Sequence, residues 1–194
     1  MKTLSIFSEP PDGVDETWTR GAMLGGMMGY EHLEIADGYF RAGEILVEAV
    51  LNRGRCGTEL VEARDVIQPT MFVYRHGLEL YLKAIIKTAH KTHNLGSLLE
   101  GFCRHVRERY QENAPAWFTK PISEFITYDP NSVTFRYEST NSQLQRDGEF
   151  WIDLETLRIT MERLRLALRR VYRSDQWGER APLEYSRLSP LDDD

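Results

Sequence analysis

Residues 69–89 read PTMFVYRHGLELYLKAIIKTA, and their period decides the fold. Met71, Tyr74, Leu78, Tyr81, Leu82, Ile85 and Ala89 recur at steps of mostly three and four, which places them on one face of an α-helix. Glu79 and Lys83 stand four apart outside that face, the spacing of an ion pair along a helix. Pro69 is either a kink or a fresh start, because it has no amide hydrogen to donate. A helix with so long an apolar face is stable only when packed, so the rest of the chain must supply partners for it.

Working outward, the same period predicts a helix from Glu31 to Arg53, stopped by Gly54. His32, Ile35, Tyr39, Gly43, Leu46 and Val50 share one face of it, with Glu34, Asp37, Arg41, Glu44 and Glu48 opposite. Thr58 is placed to cap the helix leading to Pro69, with Glu59 and Glu62 in its first turn. Downstream, Asn94 caps a helix carrying Leu95, Leu98, Leu99, Phe102 and Val106. Pro115 opens a further one, carrying Phe118, Ile122, Phe125 and Ile126. The period then fails. Asp129-Pro130-Asn131-Ser132 reads as a turn, Val133 to Tyr137 as strand-like, and Asp147-Gly148 as a second turn. Asp153 caps a last long helix in which Leu154, Leu157, Met161, Leu164, Leu168 and Val171 form a seam fit for a bundle or a dimer.

The expected fold is therefore mostly all-α, an antiparallel bundle of four to five helices with a short hairpin or irregular lobe before the last helix. Residues 1–30 read as an N-terminal loop segment, 31–176 as the helical domain and 177–194 as a flexible tail.

Composition agrees with a globular chain: 194 residues, 41% hydrophobic and 28% charged, enough to bury a core without staples. No apolar run reaches membrane-spanning length, and Glu9-Pro10-Pro11-Asp12 interrupts the start before a signal-peptide centre can form. Cys56 and Cys103 lack ligand or framework spacing and read as reduced thiols, so a cytoplasmic location is expected. The net charge of −6 belongs to the first 70 residues, with 6 basic and 12 acidic side chains; the remainder is balanced. Nucleic acid would therefore need a local basic patch.

The run from Phe72 to Ile86, then His93-Asn94-Leu95 with Leu98-Leu99, and later Asp129-Pro130 with Phe135-Arg136-Tyr137, resembles the HEPN superfamily over roughly residues 31–172. That resemblance implies a helical bundle, often a homodimer, in a bacterial toxin–antitoxin or phage-defence setting. Many such proteins are metal-independent ribonucleases; others bind RNA, a nucleotide or an operon-encoded partner protein. Active members carry an arginine followed after four to six residues by a histidine, the arginine stabilising phosphate charge and the histidine moving the 2′-hydroxyl proton. No arginine here has a histidine at that spacing, and the last helix has no histidine at all.

Three readings follow. The favoured one is a non-catalytic or atypical HEPN-like protein that binds RNA, a nucleotide or a partner protein. The second is a metal-independent ribonuclease with a displaced site, in which Arg75, His93 and Arg136 converge from separate elements. The third is a helical dimerisation module whose seam is its whole function. For binding, Arg158, Arg165 and Arg169 cluster on one flank of the last helix, and Tyr137 stands beside Arg136. A phosphate backbone suits those arginines, but so do the glutamates of the N-terminal helices, which we weigh more heavily. Arg75 is better read as the ion-pair partner of Glu79, or of a carboxylate on a neighbouring helix, than as a phosphate contact, and His76 as a solvated surface residue. His90 and His93 form a His-x-x-His pair with no third ligand in sight, so neither metal nor cofactor is expected.

Overall fold

The computed structural model describes residues 32–87, 92–136 and 151–177. Among them are five helices and one small strand pair. These are α1 (His32–Leu51), β1 (Arg55–Cys56), β2 (Glu59–Leu60), α2 (Ala63–Ile86), α3 (Leu95–Tyr110), α4 (Ala116–Tyr128) and α5 (Leu154–Trp177). The mostly helical bundle matches the expected fold class.

Local chemistry sets the ends. At the start of α2 the Asp65 carboxylate accepts the Glu62 amide at 3.2 Å, and Lys87 closes the helix in a left-handed conformation with φ 49°. Pro69 neither starts nor ends this helix; α2 runs through it. Asn94 caps α3 through its side-chain oxygen on the Ser97 amide at 2.8 Å, and Asp153 caps α5 on the Thr156 amide at 2.7 Å. Both caps stand where the sequence places them.

Three expectations are corrected. A small hairpin lies between α1 and α2, where a helix capped by Thr58 was expected: Arg55 pairs with Leu60 and Cys56 with Glu59. Its two central residues are Gly57, at φ 64°, and Thr58, the arrangement of a tight turn that opens on glycine. Next, Val133 to Arg136 form no strand, and Thr134 to Arg136 are a turn. The Asp129 carboxylate gathers the amides of Val133 at 2.7 Å and Thr134 at 3.0 Å, and this wraps the chain back on itself. Tyr137 and the Asp147-Gly148 turn lie outside the described residues. Finally, α1 buries Leu33, Ala36, Phe40 and Val47, whereas Ile35 is 40% exposed. The buried row sits about one residue from the expected one because α2 crosses closely there. A Cβ on Gly43 would lie 2.6 Å from the Tyr74 ring, and one on Gly77 would lie 2.7 Å from the Phe40 ring.

The core runs through every helix: Phe40 and Val47, then Tyr74, Leu78 and Tyr81, then Leu98, Phe102 and Val106, then Phe118 and Ile122, then Met161, Leu164 and Leu168. α2 is central, packing against α1, α3 and α5; α4 packs on α3, and α5 also packs on α1. The α5 seam therefore turns inward. Met161, Leu164, Leu168 and Val171 are all buried within the chain's own bundle, so that seam is not an interface held open for a second copy.

Candidate functional site

Arg75 extends from α2 into the interior with no exposed surface. Its Nε donates to the Asp129 carbonyl at 3.0 Å and its Nη1 to Glu79 Oε2 at 2.5 Å. Nη2 donates to the carbonyls of His93 at 2.5 Å and Pro130 at 3.0 Å. One guanidinium thus ties α2 to the segment leading into α3 and to the end of α4. A buried charge of this kind persists only because each acceptor is in place.

Glu79 is the other centre. Its Oε1 takes Lys83 Nζ at 2.7 Å and stands 2.8 Å from His93 Nδ1, while Oε2 takes Arg75. Burial alone pushes the Glu79 carboxyl up, but hydrogen bonds from Lys83, Arg75 and His93 outweigh it and hold the carboxyl below its ordinary range. The structure therefore brings Arg75 and His93 together on one carboxylate. Only His93 faces outward, with its side chain 59% exposed. Arg75 is corrected as a candidate for touching phosphate, since no part of it reaches a cleft.

Arg136 is held on the Phe72 face of α2. Its guanidinium lies 5.6 Å from the Phe72 ring centre, and its Nη1 donates to the Ser132 carbonyl at 3.4 Å. Phe72 stacks on His76 at 5.8 Å, and Tyr39 meets that imidazole edge-on at 4.5 Å. His76 is thus half-buried in an aromatic stack and not solvated as the sequence suggested. Burial lowers its pKa, with Arg75 adding to the effect and Glu79 opposing it. Tyr137 and His90 lie outside the described residues, and no group of acidic, histidine and cysteine side chains suited to a metal occurs among the described ones.

On the α5 flank the arginines meet carboxylates. Arg158 pairs with Glu155 at 2.5 Å. Arg165 grips Glu162 through two bonds of 2.7 Å and reaches Asp37 of α1 at 3.3 Å. Arg169 makes only a 3.5 Å ion pair with Asp37, and its buried Nε has no hydrogen-bond partner among the described residues. Asp37 also accepts the Tyr81 hydroxyl. Around this contact lies a pocket of about 280 Å³ lined by Asp37, Gly38, Arg41, Glu44, Arg165 and Arg169. Three arginines face two carboxylates there, in a chain whose net charge is negative.

Sequence reasoning missed Asp37 as the meeting point of α1 and α5. It also missed a clip between α3 and α5: His105 Nε2 lies 2.6 Å from Asp175 Oδ2, and the Tyr110 hydroxyl donates to Oδ1 of the same carboxylate at 2.9 Å. His105 and Asp175 are 70 residues apart, and no local motif links them.

No family model, no curated protein and no solved structure matches this chain. No helix among the described residues is long and apolar enough to cross a membrane.

Proposed function

We propose that this chain is a HEPN-like bundle that binds and does not cleave, taking a phosphate-bearing ligand, a nucleotide or the end of an RNA, in the pocket between α1 and α5. The observation that carries this reading is the state of the arginines. Arg75, which shares the Glu79 carboxylate with His93, is sealed and spends its donors on protein acceptors. Arg41 and Arg169 line an open pocket, and among the described residues most of their donors are uncommitted. Planar guanidiniums with free donors suit phosphate oxygens, and the Glu44 carboxylate beside them suits sugar hydroxyls. A bacterial defence or toxin–antitoxin setting, a cytoplasmic location, an operon-encoded partner and a homodimer remain part of the proposal through the HEPN resemblance alone.

The test pairs binding with chemistry. Titration of the full chain with AMP, GMP and a short labelled RNA is expected to saturate at one site. An Arg41→Ala/Arg169→Ala variant is expected to lose about tenfold or more in affinity. Equal binding by parent and variant would remove the pocket from consideration.

One observation favours the ribonuclease alternative: His93 is an exposed imidazole oriented by a buried carboxylate, the arrangement of a general base. Total RNA incubated in EDTA with parent and His93→Ala protein separates the two. Fragments ending in 2′,3′-cyclic phosphate from the parent alone would establish cleavage and end the binding-only reading; intact RNA from both would end the alternative.

A further inference from the structure

A further cavity among the described residues belongs to neither constellation. It measures about 510 Å³ and opens between α4 and the first half of α5. One wall is the α4 row Pro121, Glu124, Phe125 and Tyr128; the other is the α5 row Asp153, Thr156, Leu157, Thr160 and Met161. Both rows step by three and four residues, so each wall is a helical face about two turns long. Met71 of α2 and Phe135 of the Asp129-wrapped turn complete the lining, and Trp151 stands at the rim with 88% of its surface exposed.

We propose that this groove receives an amphipathic helix of a partner protein, with an apolar face inward and lysines or arginines along its edges. Two features select that occupant. The walls are themselves helical faces, and side chains spaced at three and four on a third helix interdigitate with such rows. The polar groups at the mouth include Glu124 and Asp153, and no cationic side chain lines the groove among the described residues. An incoming phosphate backbone would meet repulsion there; a basic-edged helix meets complementary charge. Trp151, large and exposed at the edge, is the type of residue that anchors such contacts. This surface is separate from the α1–α5 pocket and does not depend on its ligand.

The test uses two labelled synthetic helices about four turns long with one apolar leucine face, one edged with lysine and the other with glutamate. Fluorescence anisotropy against the full chain is expected to show binding of the lysine helix and at least about tenfold weaker binding of the glutamate helix. Trp151→Ala and Glu124→Lys alter exposed side chains and are expected to weaken the lysine helix by a similar factor while circular dichroism stays unchanged. Equal binding of both helices, equal binding by parent and variants, or no binding of either at millimolar concentration would overturn the proposal. So would an RNA that displaces the lysine helix from the groove, or sedimentation showing that the chain dimerises through Trp151.

Discussion

Glu79 is a carboxylate with three cationic or hydrogen-bonding partners and 1% exposure, so its ionised form belongs to the folded state more than to the unfolded one. Because its folded pKa lies below the ordinary value, its contribution is complete above that value and is lost as pH falls through the depressed one. Glu79→Gln is therefore expected to cost about 3 kcal/mol or more at neutral pH and to flatten the acid limb of a stability curve followed by urea unfolding. His76 acts in the same direction at higher pH. Its folded pKa is lowered from about 6.5, so protonation favours unfolding and stability falls as pH drops below that value. His76→Phe keeps a ring in the stack between Tyr39 and Phe72, and its melting temperature is expected to change less between about pH 7 and pH 5 than that of the parent. The pairing of Glu79 with Arg75 was legible in the sequence because four residues along a helix fix the geometry. The arrival of His93 on the same carboxylate, 14 residues away and across a turn, was not.

At the level of helices, α1 and α2 meet through two glycines. Gly77→Ala places a methyl group 2.7 Å from the buried Phe40 ring, and the overpacking is expected to cost about 1–3 kcal/mol. Alanine's helix preference, about 1 kcal/mol, does not offset it. Gly38→Ala is the control with the opposite sign: nothing lies within 4 Å of its added methyl, and a gain of up to about 1 kcal/mol is expected in the same denaturation assay. The helices themselves were readable because period, Asn94 and Asp153 caps and the Pro115 start all agreed. On α1 the expected face holds at Gly43, which is buried against Tyr74, but the larger buried side chains come from the neighbouring apolar row, Leu33, Ala36, Phe40 and Val47. The strand-like reading failed over Val133 to Arg136 because one carboxylate, Asp129, offered the amides of Val133 and Thr134 a nearer acceptor than any partner strand.

Across the whole molecule, charge is arranged to cancel. Among the described residues Asp37 of α1 meets the arginines of α5, accepting contacts from Tyr81, Arg165 and Arg169. Little of that basic flank is left for an extended polyanion, so binding in the α1–α5 pocket is expected to be local. Its affinity for a mononucleotide should fall with salt by the slope of about one or two released ions, measured by titration across ionic strength, and not by the steep slope of a protein that tracks many phosphates. The candidate site could not be assembled from sequence for the same reason: Asp37 and Arg165 are 128 residues apart, and only the closed bundle makes them neighbours.

That closure has a kinetic side. Apart from Glu79 on its own helix, the acceptors of Arg75 lie 18, 54 and 55 residues along the chain, and none of these is near it until the segment before α3 and the end of α4 have docked. These long-range bonds are expected to form late in folding, once the helices have collapsed around α2. An Arg75→Met chain should refold at close to the parent's speed but unfold many times faster, the signature of a residue that acts as a latch on the finished molecule and takes no part in its nucleus.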